Sequence, residues 1–344
     1  MTSASALGSW PGTDNADVRE ALRVVRDTLT DASLTGRAGV PYLPELPGRG
    51  PGADMIGRSG ALLAGMAVDL QPSGWRIVDR PGRDLTRAQG YLRADLDELA
   101  EAFDGYAGPL KLQAAGPWTL AASMRLHRGE RMIVDLGACR DLAASLAEGL
   151  RAHLDDVRRL VPGADLVLQL DEPLLPAVLA GELPTSSGFG RLRPVDPENA
   201  RRTLGGVIEA VRREAAGAGA PEVVVHCCAR DVPVALLREA GADGVALDVG
   251  LLGPRGWESV AVAVEGGTRL WAGALPTDAP ASTPAQVAGV VHRAWRELGL
   301  APALADRVVL TPACGLASLA PADAVRVHRT LPRAAAELTE LASA

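Results

Sequence analysis

Eight short apolar runs recur along this chain, and amphipathic stretches with a helical period separate most of them. The runs are Ala4–Trp10, Val40–Leu46, Leu110–Gly116, Asp165–Pro173, Glu222–Cys228, Gly244–Gly250, Leu270–Pro276 and Arg307–Gly315. Between them, Asp17–Ala32 places Val18, Leu22, Val25 and Leu29 on one stripe. Leu85–Phe103, Leu142–Leu160, Asn199–Ala216 and Pro284–Leu298 read the same way, and Arg230–Gly241 reads as a short helix. Strands alternating with helices imply βαβ units and a parallel sheet. Eight units predict an α/β fold of one kind, a single (βα)8 TIM barrel over residues 1–344, with an open doubly wound sheet as the alternative. A final helix is expected over Pro321–Ala344, with Pro321 suited to its first turn.

Length fits that expectation, since such barrels run from about 200 to over 400 residues. Hydrophobic residues make up 47%, enough for a large core, and the net charge of −7 carries no basic face for nucleic acid. Lys111 is the sole lysine, which disfavours P-loop or Schiff-base chemistry. The opening residues lack the pattern of a secretion signal, and no apolar run is long enough to span a membrane. Four cysteines in so long a chain do not make a disulfide scaffold. A cytoplasmic protein with reduced thiols, free for metal binding or nucleophilic chemistry, is the expectation.

Three strand ends carry metal-ligand side chains. In Val223-Val224-Val225-His226-Cys227-Cys228, alternation sends His226 and Cys228 to one face and Cys227 to the other. Gly244–Asp248 is an apolar strand ending in a carboxylate, and Cys314 stands just past the last run. In a barrel all these ends open on one face. His226, Cys228 and Cys314 can then converge as a nitrogen–sulfur set suited to Zn2+, with Asp248 a fourth ligand or a hydrogen-bond partner of His226. Zinc favours a deprotonated thiol, the nucleophile needed to accept a methyl group. Taken singly, each of these residues also has an ordinary reading, a buried cysteine being a small hydrophobe.

Asp171-Glu172-Pro173 ends another apolar strand. A carboxylate there either faces a cation, such as a substrate ammonium, or caps the helix that follows. Gly8-Ser9-Trp10-Pro11 lets the backbone approach a ligand or simply turns, and Trp118 either lines a pocket or packs under a helix.

Together these residues resemble the cobalamin-independent methionine synthase family. Gly8-Ser9-Trp10-Pro11 is similar to its Gly-Ser-Phe-Pro opening, and Gly116-Pro117 with Thr119 to its Gly-Pro-Val-Thr turn. Asp171-Glu172-Pro173, His226-Cys227-Cys228 and Cys314-Gly315-Leu316 match three further motifs in the family's order. The resemblance implies that zinc binds the sulfur of homocysteine while Ser9, Asp171 and Glu45 hold its amino-acid part. It also places Asp248 where the family has a zinc-binding glutamate, and Asp278 where a histidine relays a proton. The long members have two barrels, the first helping to hold folate, and this chain has room for the catalytic one. With that histidine replaced, methylcobalamin, free or on a corrinoid protein, is expected to be at least as suitable a donor as methyltetrahydrofolate. The alternatives are a methyltransferase of another thiol such as coenzyme M, a barrel like metal-free uroporphyrinogen decarboxylase, and a non-catalytic zinc- or thiol-binding barrel.

Overall fold

A computed structural model describes residues 1–33, 38–127, 129–213 and 219–343. Its strands are β1 Ser3–Ala4, β2 Ala67–Gln71, β3 Gly74–Val78, β4 Ala107–Ala115, β5 Gly163–Asp171, β6 Glu222–Cys227, β7 Gly244–Asp248, β8 Arg269–Leu275 and β9 Val308–Pro312. The helices are α1 Asn15–Leu29, α2 Met55–Ala61, α3 Arg83–Ala102, α4 Pro117–Ser123, α5 Leu136–Leu160 and α6 Leu175–Ala180. They continue as α7 Pro197–Arg213, α8 Val234–Glu239, α9 Pro254–Glu265, α10 Pro284–Glu297 and α11 Pro321–Ser343. The last three residues of the stretch expected over 199–216, and Ala344, lie outside the described residues.

Helix starts follow local chemistry. Asp14 and Asp17 form a capping box on α1, and Thr283 and Gln286 do so on α10, with Pro284 in its first turn. Asp135 accepts from the amides of Gly137 and Ala138 to open α5.

Seven strands make one parallel sheet, in the order β1-β9-β8-β7-β6-β5-β4. The sheet is curled. Leu7, Val40, Val167, Val224, Ala246, Trp271 and Val309 form one buried cluster of their own, which joins β5 through β9 to the chain after β1 and to the 40–46 segment. A second, larger core lies between the sheet and the helices.

The run expected as an eighth strand, 40–46, is not a regular strand. Pro41 and Pro44 have no N–H to give, so an unbroken ladder is impossible. The segment instead spans the gap between the two sheet edges by separate bonds. Val40 N donates to Ala4 O and Glu45 N to Gly8 O on one side. On the other, Leu43 N donates to Lys111 O and Lys111 N to Pro41 O. The antiparallel hairpin β2–β3, absent from the sequence reading, sits in the connection that follows.

Candidate functional site

The C-terminal ends of β5, β6 and β9 gather four of the residues singled out above, Asp171, His226, Cys228 and Cys314. Asp171 and His226 are in register on adjacent strands, and His226 Nδ1 donates to Asp171 Oδ1 at 2.7 Å. A carboxylate partner fixes the proton on Nδ1 and leaves the lone pair on Nε2. That Nε2 is buried and has no hydrogen-bond partner among the described residues. Burying an unpaired polar atom costs free energy unless something absent from the chain completes it.

Beyond it, Cys228 and Cys314 bring their sulfurs to 3.6 Å although 86 residues separate them. The pair shares a proton unevenly. The hydrogen bond between them holds the Cys314 thiol down to about 6 against the pull of burial, and pushes the Cys228 thiol up. Cys227 faces the opposite way into the core, where burial pushes its thiol up to about 12. Two sulfurs and an unpartnered imidazole nitrogen suit zinc. The set is a pair plus a free nitrogen rather than a finished cage, since no group of three or more His, Cys, Asp or Glu among the described residues is drawn together as a metal site.

Asp248 ends β7 as expected, but its Oδ1 accepts from Gly250 N at 2.9 Å, capping a turn over Val249–Leu251. Burial raises its pKa, opposed by that amide. The partner of His226 is therefore Asp171 and not Asp248, because the neighbouring strand β5 supplies the residue in register.

Ser9 supports the loop that bears Cys314. Its carbonyl accepts from Leu316 N at 3.1 Å and its hydroxyl from Ala317 N at 3.3 Å. Gly315 is required there, because a Cβ would stand 2.1 Å from Ser9 Oγ. Gly8 is left-handed at φ 130°, and a Cβ on it would meet the Gln113 side chain at 2.7 Å.

Glu45 is buried beside Ser9, with which it forms a parallel bridge. Burial pushes its carboxyl up to about 7, offset by Arg58 and then worsened by Asp171. Arg58 Nε lies 3.4 Å from Glu45 Oε1. Lys111 is wholly buried, donates to Gln113 Oε1 at 3.1 Å and is pushed down to about 7 by burial. Gln169 Nε2 donates both to Leu7 O and to Asp171 Oδ1. Asp171 Oδ2 carries no hydrogen bond among the described residues.

Two expected residues lie apart. The indole of Trp118 is buried, its Nε1 donating to Ala200 O at 3.0 Å, so it packs under α7. Asp278 is exposed on the turn after β8, near the charge of Asp248. The adjacent carboxylates also divide their work. Glu172, not Asp171, is the cap, accepting from Trp118 N, Thr119 N and Thr119 Oγ1 at the start of α4. Sequence reasoning missed Glu172, Arg58 and Asp95. Only charged side chains inside apolar stretches hinted at them.

The family described as the cobalamin-independent synthase catalytic domain matches residues 1–337. A solved B12-independent methionine synthase from Shewanella sp. W3-18-1, in complex with selenomethionine, is 14% identical over 99% of this chain and 97% of that one, with a TM-score of 0.55. At that identity the likeness shows the fold. The carboxyl transferase domain of Rhizobium etli pyruvate carboxylase, 16% identical over 96% of this chain and 59% of that one, has a TM-score of 0.26 and carries no argument. No curated protein matches the chain. Cobalamin independence corrects the expectation of a methylcobalamin or corrinoid-protein donor. Among the described residues no helix is long and apolar enough to cross a membrane.

Proposed function

The chain belongs to the cobalamin-independent synthase catalytic-domain family, and from that premise we propose that it methylates the sulfur of homocysteine, giving methionine, at a zinc held by His226, Cys228 and Cys314. The observation that carries this is the cysteine pair at 3.6 Å beside a buried imidazole whose Nε2 has no partner among the described residues. Bound zinc would supply the charge that keeps a substrate thiol deprotonated at neutral pH. The chain's own residues do the rest. Asp171 fixes the His226 tautomer through Oδ1 and has Oδ2 left for a substrate ammonium. Glu45 adds a second carboxylate, and Ser9 holds the Cys314 loop next to the amino-acid end. Asp248 is the fourth donor only if it releases the Gly250 amide. Otherwise that position stays free for the thiol.

The donor in this reading is methyltetrahydrofolate, with Asp278 at the rim as proton source. Residues 1–344 act as one catalytic domain in a closed (βα)8 barrel, with 40–46 as its eighth stave. The bonds from that segment to both sheet edges support the closure.

The test is metal analysis and methionine formation from methyltetrahydrofolate and homocysteine, wild type beside Cys314→Ser. We expect about one zinc per chain in wild type, much less in the variant, and methionine only from the first. A metal-replete wild type without zinc, or one with zinc and no methionine, overturns the proposal.

A further inference from the structure

Four charged side chains run outward from the site in a single buried chain. Glu45 meets Arg58, with Nε 3.4 Å from Oε1. Arg58 also donates through Nη1 to Asp95 Oδ2. Asp95 is gripped from its far side by Arg49, whose two terminal nitrogens reach its two oxygens at 2.7 and 2.8 Å. Their side chains are 9%, 4%, 0% and 1% exposed in that order. They come from four places: the 40–46 segment, α2, α3 and the turn Pro47–Arg49. The turn is held in its own right, as Arg49 lies 4.8 Å over the Tyr91 ring and Tyr91 Oη donates to Arg49 O.

Two guanidiniums and two carboxylates balance, but they do not pair evenly. Asp95 takes three of the guanidinium hydrogen bonds, and Glu45 has one looser contact with Arg58 beside a hydrogen bond with Gln113. Buried ion chains add little stability over an apolar core of the same volume. A chain ending on a half-satisfied carboxylate in a ligand site is therefore better explained by what that carboxylate faces. The other charged or polar groups around Glu45 are Asp171 on β5, and Lys111 and Gln113 on β4.

We propose that Arg58 is a positioning residue of the acceptor subsite: clamped by Asp95 and Arg49, it aims the Glu45 carboxylate at the ammonium group of an amino-acid thiol. This rests on the functional reading above. Arg58 touches no substrate and acts through Glu45. Asp95 sets how much of the guanidinium Glu45 receives, so the carboxylate is oriented yet still able to take a second cation. A thiol without an ammonium group gains nothing from the arrangement.

The sign of the pH effect follows from the surroundings. Burial and Asp171 favour the neutral form of Glu45, while Arg58, Gln113 and Lys111 favour the charged one. Removing Arg58 therefore raises the Glu45 titration, and raising the pH restores the anion.

The experiment uses Arg58→Met, Arg58→Lys and Asp95→Asn in the zinc-loaded full chain. Arg58→Met should raise KM for homocysteine about tenfold or more while kcat falls less than about threefold, a defect that shrinks as pH rises. Arg58→Lys keeps the charge and should recover part of the loss. Asp95→Asn should raise KM too, and serves if Arg58→Met does not fold. Isotope-edited infrared titration of Glu45, assigned with Glu45→Gln, should move upward in Arg58→Met with no substrate present. A folded Arg58→Met with KM within about twofold of wild type, or with kcat and KM changing together at every pH, overturns the proposal. If wild type turns over no homocysteine while the Glu45 titration still moves, the functional reading fails and the charge chain stands.

Discussion

Asp171 and Glu172 are neighbours with opposite duties, and strand alternation separates them. Asp171 faces the site and fixes His226, while Glu172 faces outward and receives three donors at the start of α4. Burial pushes Glu172 up to about 7 in spite of those donors. Measured near pH 8, where it is charged, Glu172→Gln should cost about 2 kcal/mol in urea unfolding, because an amide presents N–H groups to N–H groups. Zinc affinity should be unchanged. Asp171→Asn should do the reverse, leaving stability near wild type and weakening zinc about 10- to 100-fold in a chelator competition. Equal effects of both on zinc would remove the division. The sequence made the His226–Cys228 face legible, because alternation is local. It left Glu172 unread, because Trp118 and Thr119 lie more than 50 residues away and only folding brings them near. The same holds for Trp118, whose partner Ala200 belongs to a later helix.

At the scale of elements, six of the eight runs became strands of one sheet, and Ala4–Trp10 joins it only through Ala4 of the two-residue β1; the strand ends are where the donors collect. Periodicity finds such strands well. It fails at 40–46, where Pro41 and Pro44 lack the N–H groups that an apolar run otherwise gives to a ladder. It missed β2–β3 because its strands alternate, Val68 and Leu70 about Asp69 and Trp75 and Ile77 about Arg76, rather than forming continuous apolar runs, and the hairpin depends on Gly74 at φ 109°. Close packing between elements was invisible as well. Gly149 on α5 lies against the stretch before β2, where a Cβ would stand 1.6 Å from Leu62 O. Ser145 and Ala64 tie the same two elements with bonds in both directions. Backbone cannot yield as a side-chain tip can, so Gly149→Ala should cost about 3 kcal/mol, roughly 4 °C in Tm for a chain this long. A Tm within about 1 °C of wild type would show that α5 shifts freely.

For the whole molecule, acid stability is set by buried groups that pull in opposite directions. His328 is satisfied when neutral, as Nδ1 donates to Ala324 O and Nε2 accepts from Tyr42 Oη at 2.9 Å. Burial holds it down to about 4, and burial with the Arg58 charge holds His153 down to about 3. Their folded values lie below the unfolded one near 6.5, so their contribution is complete above about 6.5 and is lost as pH falls through those values. Glu45 and Glu172 run the other way. Their folded values of about 7 exceed the unfolded one near 4.3, so their contribution is complete below about 4.3 and lost as pH rises through 7. Between about pH 7 and 4.5 these effects oppose each other and stability should stay nearly level. Below about 4.5 the carboxyls have nothing further to give, while the imidazoles still resist protonation, and stability should drop. Other acidic groups also titrate there, so a difference between proteins isolates the histidine. His328→Gln keeps a neutral donor and acceptor, and its destabilisation relative to wild type should be smaller at pH 4 than at pH 7 by about 2 kcal/mol in urea unfolding of the metal-free protein. A destabilisation independent of pH would mean that His328 titrates alike in the folded and unfolded chains, and that the acid limb arises elsewhere.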